Sequence, residues 1–118
     1  MNLYQHILRA TAFSRATFGP GKRMKGVIDH IQKELVEVEK SGGAASEWVD
    51  VVILGLDGLT RELMFSDDGA YAPRDPKDVA EIACAMIEGK QSRNEARVWP
   101  DWRTAEPDKA IEHDRSHD

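Results

Sequence analysis

The segment from Trp48 to Leu59 constrains the fold more than any other. Trp48, Val49, Val51, Val52, Ile53, Leu54, Leu56 and Leu59 leave it almost no polar face. No stretch of the chain sustains an apolar period of two, so this segment reads as a helix and the expected fold class is all-α. A helix apolar nearly all round must be covered on most sides. With 118 residues the chain makes one domain with a modest core. Four helices of this size struggle to cover such a segment alone, so a homodimer or homotetramer is expected.

Punctuation residues set the other boundaries. A first helix is expected over residues 3–16, with Leu3, Ile7, Leu8 and Ala12 near one stripe, ended by Phe18-Gly-Pro-Gly21. A second runs from Arg23 or Gly26 to Lys40 and is stopped by Ser41-Gly-Gly43, where glycine suits a left-handed C-terminal cap. The third opens at Ser46 as N-cap and continues to about Met64. A loop covers residues 66–73. Asp75 caps a fourth helix with Pro76 at its first position, and this helix reaches about Ala96 with Gly89 as a weak point. Trp99-Pro-Asp-Trp102 closes it. The expected organisation is a single domain over residues 1–105 with a charged tail over 106–118, ordered only through docking.

Four carboxylates carry the chemistry. Glu34-Leu-Val-Glu37 and Glu47-Trp-Val-Asp50 each place two acids three residues apart, on one face of a helix. If the two helices pack antiparallel, the four acids converge, and like charges that close do not all stay ionised without a cation. Converging hard oxygen ligands suit Mg²⁺ or Mn²⁺. Charged residues usually face water, but Glu34 falls in the stripe Val27, Ile31, Glu34, Val38, a core-facing phase. Asp50, in a helix with few polar positions, is expected to be partly buried.

Other polar residues share this side. Arg23 stands beside the Gly19–Gly21 loop and is a phosphate candidate, because a guanidinium forks onto phosphate oxygens. His30, one turn before Glu34, is a candidate substrate contact. The loop is not a P-loop, since G-x-x-x-x-G-K-[ST] is absent. In the fourth helix the stripe Val79, Ala83, Met86 gives way in phase to Lys90, Asn94 and Arg97. Either that end emerges into solvent with cations favouring the C-terminal dipole, or it leans over the acidic site and holds phosphates and sugar.

Composition narrows the partners. The net charge is −5, which argues against broad electrostatic binding to nucleic acid or to an anionic membrane. A phosphate substrate then needs metal to bridge it to an acidic protein. A lone cysteine, Cys84, permits no internal disulfide and fits a reducing, cytoplasmic compartment. The first residues carry no apolar signal region, and the longest apolar run, Val51–Leu54, is far too short to span a bilayer.

The two acidic motifs resemble the ExxE…ExxD signature of the MazG-like all-α nucleoside triphosphate pyrophosphohydrolases, a four-helix-bundle-like fold. Residues 18–35 (FGPGKRMKGVIDHIQKEL), residues 90–103 (KQSRNEARVWPDWR) and Asp108-Lys-Ala-Ile-Glu-His113 are similar to the dATP/dGTP pyrophosphohydrolase family common in phages and their hosts. The resemblance covers nearly the whole chain, although residues 65–75 carry no matching motif. It implies cleavage of a purine deoxynucleoside triphosphate between the α- and β-phosphates, giving a monophosphate and pyrophosphate. It further implies that Glu34, Glu37, Glu47 and Asp50 hold two or three Mg²⁺ or Mn²⁺ ions that polarise the α-phosphate and activate water, with Glu37 or Glu34 taking the proton. Lys90, Asn94 and Arg97 would hold the triphosphate and sugar. The competing reading is a non-catalytic helical assembly module whose acids form a hydrated rim.

Overall fold

Four α-helices and one short 3₁₀ turn make up the described residues, 1–65 and 74–115 of this computed structural model, and no strand occurs among them. The all-α expectation holds for these residues. The loop expected over residues 66–73 lies outside them. By internal packing the chain divides into two compact units, Met1–Cys84 and Ala85–Asp118.

In the first unit, α1 spans Leu3–Phe18. Asn2 caps it by accepting from the Gln5 backbone N–H at 2.9 Å, while the Gln5 side chain accepts from the Asn2 N–H at 3.1 Å, a reciprocal capping box. Gly19 and Gly21, both at positive φ, turn the chain out of α1. Helix α2 spans Met24–Lys40, and Arg23 before it adopts a left-handed backbone with φ 43°. Helix α3 spans Ala45–Met64, and α4 spans Pro76–Ala96. Asp75 caps α4 as expected, accepting from the Lys77 N–H at 2.8 Å.

The start of α3 differs from expectation. Its N-cap is Ala44, and Ser46 already lies inside the first turn. The cause is the turn before it. The Gly43 N–H bonds the Val38 carbonyl and the Gly42 N–H the Glu39 carbonyl, a Schellman closure of α2. Ser41 then accepts from the Ala44 N–H at 3.1 Å. That bond holds the turn tight up to Ala44, and the helix begins at Ala45 with no side-chain cap, two residues before a serine cap at position 46 would allow.

Helix α2 packs along α3, and α1 also packs on α3. Gly58 faces α2, where an added Cβ would meet Val27 Cγ1 at 3.4 Å, close to ordinary van der Waals contact. Ile7, Ala80 and Ala83 form the buried centre, with Tyr4, Leu8, Leu56, Leu59, Leu63 and Cys84 packed around them. Full burial of a side chain such as Ile7 or Val79 contributes about 1.5–3 kcal/mol. The outer side of α3 is not covered: Trp48, Val49 and Val52 stand about half exposed.

In the second unit, the later part of α4 runs to Ala96, through Gly89 without a break. A 3₁₀ turn follows over Trp102–Thr104, capped by Asp101. The tail is tied back within this unit: the Asp114 N–H bonds the Val98 carbonyl at 2.7 Å, and His113 sits edge-on to Trp99. No helix among the described residues is long and apolar enough to cross a membrane.

Candidate metal centre

The tight Ser41–Gly43 turn reverses the chain, so that the last turns of α2 face the first turns of α3. Carboxylate oxygens of Glu34, Glu47 and Asp50 then lie within 4.8 Å of one another. The Val27, Ile31, Glu34, Val38 stripe explains the contribution of α2. Val27 and Val38 are buried, which fixes the roll of the helix and holds Glu34 half-buried against α3. Asp50 differs from expectation in being exposed. The apolar composition of α3 does not by itself bury this turn, where Trp48, Val49 and Val52 are also about half exposed.

Glu37 does not join the three oxygens in that group, but its charge reaches them. The Glu47 carboxyl is raised from its ordinary value, first by partial desolvation and then by the charges of Asp50, Glu34 and Glu37. Like charges are thus held close together. A set of hard carboxylate oxygens at this spacing fits Mg²⁺ or Mn²⁺ and suits neither a soft metal nor a structural zinc.

His30 stands one turn before Glu34, its Nε2 3.6 Å from Glu34 Oε1. Its ring meets Phe18 edge-on at 5.9 Å, and Phe18 in turn meets Phe13 at 6.4 Å. Arg23 lies at the opposite end of α2, separated from Glu34 by roughly 16 Å of helix rise. Its guanidinium folds over Gly26, where an added Cβ would sit 3.0 Å from a guanidinium nitrogen. Lys90, Asn94 and Arg97 belong to the second unit. There Lys90 is exposed, and Arg97 donates to Asn94 Oδ1 at 2.9 Å. The Asn94 carbonyl also accepts from the Trp99 indole at 2.7 Å.

A second polar cluster of the first unit is absent from the expectations. Arg61 is buried, at 1% exposure. It donates to Asp57 Oδ2 at 2.9 Å, to Ser14 Oγ at 3.0 Å, and to the carbonyls of Gly19 and Gly21 at 3.1 and 2.8 Å. Arg15 adds a 2.7 Å ion pair to Asp57 Oδ1. Burial alone would raise the Asp57 carboxyl, but hydrogen bonds from Ser14 and Arg61 and the charges of Arg61 and Arg15 hold it below its ordinary value. The signal was present in the sequence: an acid and an arginine four residues apart on α3.

A family model described as dATP/dGTP pyrophosphohydrolase matches residues 7–118. No curated protein matches the chain, and no solved structure does.

Proposed function

The chain belongs to the dATP/dGTP pyrophosphohydrolase family, and from that premise we propose that it is a divalent-metal-dependent enzyme converting a purine deoxynucleoside triphosphate to a monophosphate and pyrophosphate. The observation that carries the reading is the convergence of Glu34, Glu47 and Asp50 within 4.8 Å, with Glu37 close enough to raise Glu47.

In this reading Glu34, Glu37, Glu47 and Asp50 hold two or three Mg²⁺ or Mn²⁺ ions, in a MazG-like helical bundle. When bound, the metal would neutralise phosphate charge and lower the pKa of water. The chain's own groups do the rest. The oxygen of a water attacks the α-phosphorus, the bond from that phosphorus to the bridging oxygen breaks, and pyrophosphate leaves. Glu37 or Glu34 accepts the proton released by the water. Lys90 and Asn94 hold the triphosphate and sugar, with Arg97 beside them. His30 stands next to Glu34 at the substrate. Arg23 is too far along α2 to share the reacting phosphate with Glu34, and it is assigned to the outer end of the nucleotide.

The half-exposed face of Trp48, Val49 and Val52 supports a homodimer or homotetramer that covers it. A reducing compartment such as the cytoplasm suits the free Cys84. Incubation of dATP and dGTP with Mg²⁺ or Mn²⁺, with products resolved by chromatography, tests the activity. Monophosphate and pyrophosphate are expected; diphosphate with orthophosphate would overturn the assignment.

A further inference from the structure

Between α1 and α3 of the first unit lies a shallow, open concavity of about 60 Å³. Its floor and walls are mostly apolar, formed by Ile7, Leu54, Ile53, Phe13 and Phe18. Small-molecule sites are lined in this way, mostly apolar with a few convergent polar groups, and a cleft this shallow takes the face of a flat ring. We propose that this concavity is the nucleobase subsite and takes the purine ring of the substrate, with the Thr11 hydroxyl as its one free polar contact. The proposal rests on the pyrophosphohydrolase reading above and extends it to base recognition.

Continuity with the acidic cluster comes first. Phe18 belongs to the wall of the concavity and to the edge-on contact with His30, and His30 Nε2 lies 3.6 Å from Glu34 Oε1. On α3, Ile53 follows Asp50 by three residues, so the two share a face. A nucleotide whose phosphates lie at the carboxylates therefore has an apolar, aromatic surface one helical turn away. Phe13 and Phe18 are 64% and 39% exposed, rings open to a stacking partner.

Thr11 is the second, independent observation. It lines the concavity and is 8% exposed. The other polar side chains there are engaged: Ser14 Oγ donates to Asp57 Oδ1 at 2.6 Å, and Thr60 Oγ1 to the Asp57 carbonyl at 3.1 Å. The Thr11 hydroxyl makes no hydrogen bond among the described residues. Every fully enclosed polar side-chain atom among them does have a partner, so this oxygen is not fully enclosed. A hydroxyl both donates and accepts. It accepts from the 6-amino group of adenine and donates to the 6-oxo group of guanine. The hydroxyl thus serves either purine without distinguishing the two.

Calorimetry with the non-cleavable α,β-methylene analogues of dATP and dGTP, beside inorganic tripolyphosphate, all in Mg²⁺, separates base from phosphate. Ile53→Trp fills the concavity. It is expected to weaken both analogues at least about 10-fold and to leave tripolyphosphate within about twofold. Thr11→Val keeps the shape and removes one hydrogen bond. It is expected to weaken both analogues alike, by roughly 3- to 10-fold, without lowering the melting temperature. Phe13→Ala, at an exposed ring, carries the test if Ile53→Trp does not fold. Equal loss of tripolyphosphate, loss of neither ligand, or a changed oligomeric state with nucleotide affinity intact would overturn the subsite and leave the phosphate chemistry standing. Wild-type protein that binds neither analogue nor tripolyphosphate would overturn the pyrophosphohydrolase reading and the subsite together.

Discussion

Helix α3 carries two polar clusters of opposite character. Near its start, Glu47 and Asp50 meet Glu34 of α2, acids facing acids. Three turns later, Asp57 and Arg61 meet Ser14 and Arg15 of α1, and each hydrogen-bonding group there has a partner within the chain. Both clusters cost desolvation. Only the second offsets that cost internally, through a carboxylate held below its ordinary value. The first leaves Glu47 raised by its neighbours. A cluster that completes itself is architecture, here fastening the Gly19–Gly21 turn to α3. A cluster that repels itself is stabilised by a cation from outside, and that is the reading the proposed function gives it.

The comparison breaks most sharply at Asp57. Asp57→Ala leaves the buried Arg61 without its carboxylate and removes the ion pair to Arg15. Breaking a buried pair from one side costs about 3–5 kcal/mol, a large part of the total for a small domain. Urea denaturation is expected to show that loss. A deficit under about 1 kcal/mol would mean that the carbonyls of Gly19 and Gly21 satisfy Arg61 unaided, and the clusters would no longer contrast as argued.

Asp50→Asn tests the other side. Its effect should fall on turnover and spare the fold, because Asp50 is exposed and surrounded by like charge. Metal stabilises transition-state charge by several kcal/mol, and about 1.36 kcal/mol is tenfold in rate, so a loss of at least roughly 100-fold is expected. Circular dichroism should be unchanged. Near wild-type turnover would remove Asp50 from the metal site.

Divalent metal should then stabilise the wild-type protein. A ligand that binds only the folded form contributes about 2.7 kcal/mol at a hundred times its dissociation constant, which for a domain of this size raises the melting temperature by roughly 10 °C. Mn²⁺ is expected to act at lower concentration than Mg²⁺, and Na⁺ at matched ionic strength should not reproduce the shift. Glu47→Gln should weaken the response. A shift no larger than that of Na⁺ would make the acids a solvated rim.

How much of this could be read from the chain follows from what local spacing encodes. The pairing of Glu34 with Glu47 and Asp50 was legible because two i, i+3 pairs flank one turn, and the Val27, Ile31, Val38 stripe fixes how α2 rolls. The cap at Asp75 was legible for the same local reason. The start of α3 was not, because the tight turn that closes α2, with Ser41 accepting from the Ala44 N–H, lets the helix begin at Ala45 without a side-chain cap. The Asp57–Arg61 cluster was missed because its meaning depends on Ser14, Arg15 and two carbonyls more than 35 residues away in sequence. The exposure of Asp50 was misjudged because an apolar helix signals burial without saying which neighbour supplies it.

The smallest effect is the slope of stability with pH, and it should differ in sign between the clusters. Asp57 has a lowered folded-state value. Its stabilisation is present above the ordinary aspartate value and is lost as pH falls through the folded one. Asp57→Asn should therefore show its largest deficit near neutrality and a shrinking one in acid. Glu47 has a raised folded-state value. Without metal, its contribution is present below the ordinary glutamate value and is lost as pH rises through the folded one. Glu47→Gln should therefore match wild type in acid and become the more stable protein toward neutrality, in metal-free buffer of low ionic strength. Because bound metal requires the ionised carboxylate, Mg²⁺ should reverse that order at neutral pH. Melting curves from pH 4 to 7, with and without Mg²⁺, decide it. If both variants change with pH in the same direction, the acidic cluster is not under repulsion, and its likeness to an empty cation site fails.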